Sequence, residues 1–376
     1  LNDLNSFRIS IAVLPFRNLN TDTEHVYFCE GITEEIINAL SNVDQLRVIS
    51  KTSSFSFQNK STSTKEIAEK LRVDLVVEGS VRISGEQLRI AARLTDPNDE
   101  SLIWTQTWNR KLENLFDIQD EISLYIADRL REQFGHLTIK EHLAETPTRN
   151  LTAYEHFLHG KKLFNKWNPV SSNESIQYFE KALRIDNQLI DAYTGLADAY
   201  SFLAIAGFAP YEEAWQKAID SLEKAKKIDS ENASLNYLLA NHAFFTEASF
   251  AKAFEHIQKA LANKPNHSDS RNFISFFHLL EGNIPLAKEH LRYAKSIDPL
   301  NQETKFHEAH FLYRTGNLED SKQLLAELLV ENPMNVPAQI TLTYALIKMK
   351  AYDLAQKHLD EIPKELMMPD ERLGLE

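Results

Sequence analysis

The feature that most restricts what this chain can fold into is a recurrence of apolar side chains about every 34 residues through its C-terminal three-fifths. Set on one position, Ala182, Ala225, Ala260, Ala294, Leu328 and Ile362 follow one another at gaps of 43, 35, 34, 34 and 34. Seven residues before each stands a small side chain (Ser175, Ala218, Ala253, Ala287, Ser321, Ala355). Three residues before each stands a large one (Phe179, Leu222, Ile257, Leu291, Leu325, Leu359). Offsets of three, four and seven lie on one face of an α-helix, where the small residue admits a neighbouring helix and the large one fills the space beside it. Pro265, Pro299 and Pro333 follow the anchor by five residues and end the helix, because proline lacks the amide donor and clashes with the preceding turn.

A period of this length is that of the tetratricopeptide hairpin, two antiparallel helices that bury their apolar faces only by stacking on their neighbours. Six hairpins are expected between residues 150 and 376, forming an all-α superhelix. The first helices carry Leu196, Ala197 and Tyr200 in one repeat and Leu239 and Ala240 in the next, with Gly282 and Gly316 at later turns. Two early hairpins depart from the pattern: Asn165 to Asn173 reads as a loop inside the first, and Phe202 to Tyr211, with Gly207 and Pro210, as a loop that lengthens the second. First helices line the concave face of such arrays. The register sets Tyr237, Asn241, Phe244, Asn272, Phe276, Phe306, His310, Tyr313 and Tyr344 on or near it. An aromatic, amide-rich groove suits an extended peptide or a partner helix. The plain alternative is that these rings pack between hairpins. The regular Lys, Asn and Arg set that clamps a peptide carboxylate in chaperone-binding repeats is missing.

Ahead of the repeats the period changes. Ile9 to Phe16 reads as a buried strand, Gly31 to Leu40 as an amphipathic helix and Leu46 to Ser50 as a second strand. A short helix, Lys65 to Leu71, leads to strand Val73 to Ile83, paired with Gln87 to Asp96 through a turn at Ser84-Gly85. Leu102, Trp104, Gln106 and Trp108 alternate as a further strand whose aromatic side faces the helices, and Leu115 to Phe134 is a long closing helix. The order βαβαβββα implies an α/β domain with a mixed sheet over residues 9–139, parallel in its early part and antiparallel at its later edge.

The stretches SIAVLPFRNLNTD (Ser10 to Asp22), YFCEGITEEIINALSNVDQLRVISKTSSFSF (Tyr27 to Phe57), VDLVVEGSVRISGEQLRIAARLTD (Val73 to Asp96), IWTQTWNR (Ile103 to Arg110) and LFDIQDEI (Leu115 to Ile122) resemble the TolB-type N-terminal domain of bacterial regulatory proteins. The resemblance covers Ile9 to about Phe134, and such domains are typically followed by tetratricopeptide repeats. In those relatives the pair is fused to an AraC-type or CadC-like DNA-binding domain, often across a membrane helix, or to an adenylate cyclase or a kinase. The resemblance therefore implies the non-catalytic sensory or protein-interaction portion of a regulator. The alternative is a small-ligand-sensing domain that controls an attached DNA-binding or cyclase effector. A chain that does not begin with Met fits a portion of a longer protein. It would lie on the periplasmic side of the inner membrane if a span precedes it, and in the cytoplasm otherwise.

Composition and motifs support a binding role. A formal charge of -13 disfavours direct nucleic-acid contact, which needs clustered Lys and Arg. No 18-residue apolar run is present, so membrane association would come only through an upstream segment, and homo-oligomerisation stays open. No phosphate-cradling GxxxxGK[ST] occurs, and no GxGxxG follows a strand. Glu30-Gly31 reads as a helix entry and Glu78-Gly79-Ser80 as a strand kink or bulge. The single cysteine, Cys29, reads as a half-buried packing residue. His156 and His159 lack the companions of a metal motif, Asp117, Asp120 and Glu121 suit a helix start, and Ser53, Ser54 and Ser56 sit in a polar loop without a nucleophile elbow. Neither a catalytic set nor a cofactor or metal site is expected. Arg17, Asn18, Lys51, Thr52 and Ser53 leave the C-terminal ends of two strands, where open α/β sheets hold small ligands, and form the candidate small-ligand loop.

Overall fold

The computed structural model describes residues 9–20, 26–43, 45–58, 60–111, 115–134, 148, 150–164, 169–205, 208–333, 335–362 and 374. Two compact units, residues 1–267 and 268–376, divide the chain. The first begins with β1 (Ile9–Val13), β2 (Arg17–Asn18), α1 (Val26–Leu40), β3 (Leu46–Val48), α2 (Lys51–Phe55), α3 (Thr64–Leu71), β4 (Leu75–Ser84), β5 (Gln87–Asp96), β6 (Ser101–Lys111) and α4 (Leu115–Phe134). The strands form one mixed sheet in the order β3-β1-β4-β5-β6, with β2 beside β4. β1 runs parallel to β3 and β4, and the later strands are antiparallel, as the crossover helices and the Ser84-Gly85 turn predict.

The short β2 and the helix α2 are additions to the expected order, and each has a local cause. β1 pairs Ile11, Ala12 and Val13 with Leu75, Val76 and Val77, whereas β2 pairs Arg17 and Asn18 with Ser80 and Val81. One more residue thus lies on the β1–β2 side than on β4, around Pro15, which has no amide to offer the ladder. The Phe16 amide leaves the ladder for the Thr33 hydroxyl at 3.0 Å, which itself donates to the Cys29 carbonyl at 2.7 Å. The irregularity expected at Gly79 therefore sits on the neighbouring strand. Gly79 keeps regular pairing with Ala92 and lies under the Phe16 ring, where a Cβ would come within 2.4 Å.

Three further expectations are corrected. Glu30 and Gly31 lie inside α1, which starts earlier than the apolar pattern suggested, and a Cβ on Gly31 would meet Leu158 at 2.7 Å. Lys51 to Phe55 is helical and buries Ser53 and Ser54. In β6 Trp104 pairs with Leu94 and Leu102 with Thr95, so Ile103 is an extra residue that turns Leu102 outward to 57% exposure. Trp104 and Trp108 keep the expected side and meet the Tyr125 ring of α4 edge-on at 5.5 and 5.6 Å.

Three hairpins complete the first unit: α5 (Leu151–Phe164) with α6 (Pro169–Ile185), α7 (Ile190–Ile205) with α8 (Tyr211–Ile228), and α9 (Ala233–Phe245) with α10 (Phe250–Asn263). Three more make the second: α11 (Ser268–Leu280) with α12 (Ile284–Ile297), α13 (Gln302–Arg314) with α14 (Leu318–Glu331), and α15 (Val336–Lys348) with α16 (Tyr352–Glu361). Every anchor, small and large position named from the sequence is buried, and α10, α12 and α14 end two residues before their prolines. The two early loops are shorter than expected. Pro169 to Asn173 opens α6 and Phe202 to Ile205 closes α7, while residues 165–168 and Gly207 lie outside the described residues.

Two details explain the period physically. Ala248, Gly282, Gly316 and Lys350 stand 34 residues apart at the hairpin turns and share positive φ angles of 51°, 78°, 89° and 62°. Within the second unit, Ser275 donates to the Ala287 carbonyl at 2.7 Å and Ser321 to the Ala309 carbonyl at 2.8 Å. The hydroxyl has changed helices between consecutive hairpins, yet the same close helix contact is bridged.

One apolar core runs from the sheet into the first hairpins, from Ile9, Ile11 and Val13 through Ile32, Ile36 and Ile126 to Tyr154, Phe179 and Leu203. Phe179, 1% exposed, is central to it. A Cβ on Gly160 of α5 or on Gly195 of α7 would come within 2.7 Å of its ring, so the ring fits because both flanking helices present glycine.

Candidate functional site

Two groups of polar or aromatic side chains bear on the residues expected from the sequence. The first is where α1 meets α2 and α5. The 15-residue α1 turns Ile32, Ile36 and Leu40 to the sheet, which leaves Glu34 and Glu35 on the side that α5 covers. Glu34 accepts from Lys51 at 2.8 Å and from Lys161 of α5, with its own side chain 13% exposed. Burial alone would raise the Glu34 carboxyl, but the two ammonium charges and their hydrogen bonds outweigh it and hold the group well below the usual carboxylate range. Its neighbour behaves oppositely. Burial, then the charges of Glu34 and Asp191, push Glu35 up to about 8 against the opposing pull of Lys161 and Lys264. At neutral pH one carboxyl is ionised and the next keeps its proton. Tyr154, fully buried beside them, has its phenol raised by burial and by the same two carboxyls.

A small pocket opens on this cluster, lined by Glu30, Gly31, Glu34, Lys51, Leu158, Lys161 and Lys162. Gln58 donates to Glu30 at 2.8 Å, so each acid of the rim has a partner. Of the five residues expected to form a small-ligand loop, only Lys51 lines it. Arg17 and Asn18 belong to β2, where Asn18 accepts from the Asn20 amide at 2.9 Å while Asn20 brackets Ile83 of β4. Thr52 is exposed on α2 and Ser53 is buried in it. The helix that the loop became has separated these side chains. Lys161, Lys162, Glu34 and Glu35 were missed because local periodicity marks them as solvent-facing; the available signal was the glycine beside each group, Gly31 and Gly160.

The second place is a row of rings on first helices. In the second unit Phe276 of α11 lies 6.3 Å from His307 and 5.8 Å from His310 of α13. Phe306 stacks on His310 at 6.0 Å, His310 approaches Tyr313 at 6.2 Å, and the Lys348 ammonium of α15 sits 5.0 Å from the Tyr313 ring centre. Phe276, Phe306, His310 and Tyr313 are half-buried and Tyr344 is exposed. Burial, with His307 and Arg314 nearby, brings His310 down to about 4, so that imidazole is neutral at neutral pH. Asn272 is a correction: fully buried, it donates to the Thr304 hydroxyl at 2.9 Å and ties α11 to α13 instead of facing outward. In the first unit Tyr237 packs on His267 at 5.4 Å, Phe244 meets the exposed Phe245 at 5.0 Å, and Asn241 is half-buried between them on α9.

The remaining candidates have structural surroundings. Cys29 is 2% exposed, more buried than expected, and its thiol is pushed up to about 12 by burial and by Glu30. His156 and His159 flank the Tyr178 ring at 6.0 and 5.2 Å. Asp117 is exposed in the first turn of α4, and Glu121 pairs with Arg110 at 2.7 Å. Among the described residues no three His, Cys, Asp or Glu side chains converge as a metal site, and no helix is long and apolar enough to cross a membrane.

"Putative adenylate cyclase 3" of Rhizobium meliloti (strain 1021) is 33% identical over 219 residues, 57% of this chain and 36% of that protein. The chain thus spans about a third of that relative's length. Among solved structures, a tetratricopeptide repeat protein from Parabacteroides merdae is 15% identical over 60% of this chain and 84% of its own, with a TM-score of 0.38. The human IFIT1 dimer with m7Gppp-AAAA is 15% identical over 69% of this chain and 60% of its own, with a TM-score of 0.48. Residues 7–124, the sheet and the first half of α4, match the family described as HilA/YgeH-like transcriptional regulator, second domain.

Proposed function

We propose that this chain is the non-catalytic sensory and protein-interaction portion of a bacterial transcriptional regulator, and that it captures an extended peptide or a partner helix on the first-helix face of its hairpins. The observation that carries the reading is the row Phe276, His310, Phe306 and Tyr313, four half-buried rings crossing two first helices beside Lys348. Such a row supplies apolar area with little side-chain entropy to lose, while the imidazole gives orientation. The regulator setting rests on the match of residues 7–124 to a transcriptional regulator's second domain and on the TolB-type resemblance of the same stretch. In this reading the output domain is AraC-type or CadC-like and lies elsewhere in the protein.

Peptides selected from a display library against the full chain test it. Phe276→Ala and Tyr313→Ala are expected to weaken capture at least tenfold with little change in melting temperature. Unchanged capture with a large loss of stability would assign the rings to packing alone.

A second reading, a small-ligand sensor controlling an attached effector such as a cyclase, is favoured by the Lys51, Lys161 and Lys162 pocket and by the Rhizobium relative. A thermal-shift screen of anionic metabolites separates the two, since stabilisation that Lys162→Ala abolishes, without peptide capture, favours the pocket.

A further inference from the structure

The two edges of the sheet differ in a way that the hairpins do not explain. β3, at one edge, has three residues, of which Leu46 and Val48 are buried. β6, at the other, has eleven, and among the described residues its only strand neighbour is β5. An open edge of this length offers a row of backbone donors and acceptors to another strand, and proteins that keep such an edge single blunt it with proline, inward charge, a bulge or brevity. From Trp104 to Lys111 β6 has none of these except the charges at its end: its one bulge lies at Ile103, and Thr105, Thr107 and Asn109 stand exposed on one face.

We propose that β6 is a self-association edge, on which two copies of this chain pair antiparallel about a two-fold axis at Gln106 and join their sheets into one. Charge complementarity selects a second copy as the occupant. The strand is entered through a turn that carries Asp99 and Glu100 and leaves through Lys111 and Arg110, the latter also paired with Glu121, so antiparallel pairing brings the acidic start of each copy to the basic end of the other. Overlap of the regular stretch Trp104 to Trp108 centres on Gln106 and opposes Trp104 to Trp108 and Thr105 to Thr107. Residues opposed in this register project from the same face, as the period of two demands. This inference is independent of what the hairpins bind.

Sedimentation velocity of the full chain over a concentration series tests it, with three proteins compared. The wild type is expected to show a monomer–dimer equilibrium. T105K/T107K sets lysine against lysine twice across the axis and is expected to raise the dissociation constant about tenfold or more. T105K/T107E carries the same loss of the Thr105 bond to the Ala92 carbonyl but sets opposite charges together, and is expected to restore the dimer. A wild type monomeric throughout overturns the proposal and leaves the edge to a different partner chain. Equal association of all three, with melting temperatures unchanged, also overturns it, because the contact would then lie elsewhere.

Discussion

The first hairpin and the hairpins of the second unit follow one plan but solve different packing problems. In α11 to α16 each hairpin neighbours others like itself, so small residues, turn glycines and interhelical serine bonds repeat at fixed spacing. In α5 and α6 one neighbour is another hairpin and the other is the sheet domain. There the helices approach through glycines around one phenylalanine, and α5 meets α1 through a partly buried ion cluster. A periodic interface is fixed by period; an interface to a foreign domain needs residues that suit that neighbour alone.

The largest expected effect opens the first hairpin, which carries the foreign interface. Phe179→Ala should destabilise the first unit by about 3–5 kcal/mol, read by denaturant unfolding, because it empties a slot lined by two glycines that cannot refill it. A loss under about 1 kcal/mol would mean that α5 and α7 collapse onto each other and that the glycines are incidental. Lys161→Met should cost about 2–3 kcal/mol at neutral pH by leaving Glu34 with one ammonium where two offset its burial. Lys51→Met should cost less, because Lys161 would retain the carboxylate.

Glu35 sharpens the contrast through pH. Its carboxyl is raised in the folded chain, so its contribution is fully present below the ordinary glutamate range and is lost as pH rises toward about 8. Glu35→Gln should flatten this alkaline loss and gain on the order of 2 kcal/mol at pH 8, partial exposure allowed for. Glu34 has the opposite sign, present at neutral pH and lost as pH falls below the ordinary carboxylate range, so Glu34→Gln should weaken the neutral protein and spare the acid one. Melting curves across pH check both. The smallest effect restores the period: Ala248→Gly and Lys350→Gly place glycine where Gly282 and Gly316 already stand and should each stabilise by roughly 0.5–1 kcal/mol, since L-residues at positive φ carry a steric cost.

The sequence disclosed most where a rule repeats. Six anchors, three prolines and two turn glycines were enough to place the hairpins, because each records a helix face or a helix end. The strands were legible in the same way, as in Gln87–Asp96, whose limits match the expectation. What escaped depended on distant neighbours. Gly79 looked like a bulge because its true reason, the Phe16 ring, lies on another strand. Asn272 looked exposed because its partner, Thr304, belongs to the next hairpin. Lys51 stands out by its position after a strand, but its companion Lys161 is 110 residues away in sequence, and no local pattern joins them.

The uninterrupted core from β1 to α7 also bears on how such a chain can be recombined. A cut between Phe134 and Thr148 would strand Ile126 and Leu130 on one fragment and Tyr154, Phe157 and Leu158 on the other, each showing bare apolar surface. Neither piece would be inherited intact by a gene fusion made there. The smallest transferable cassette built on this sheet is therefore the sheet together with the hairpins that close its core.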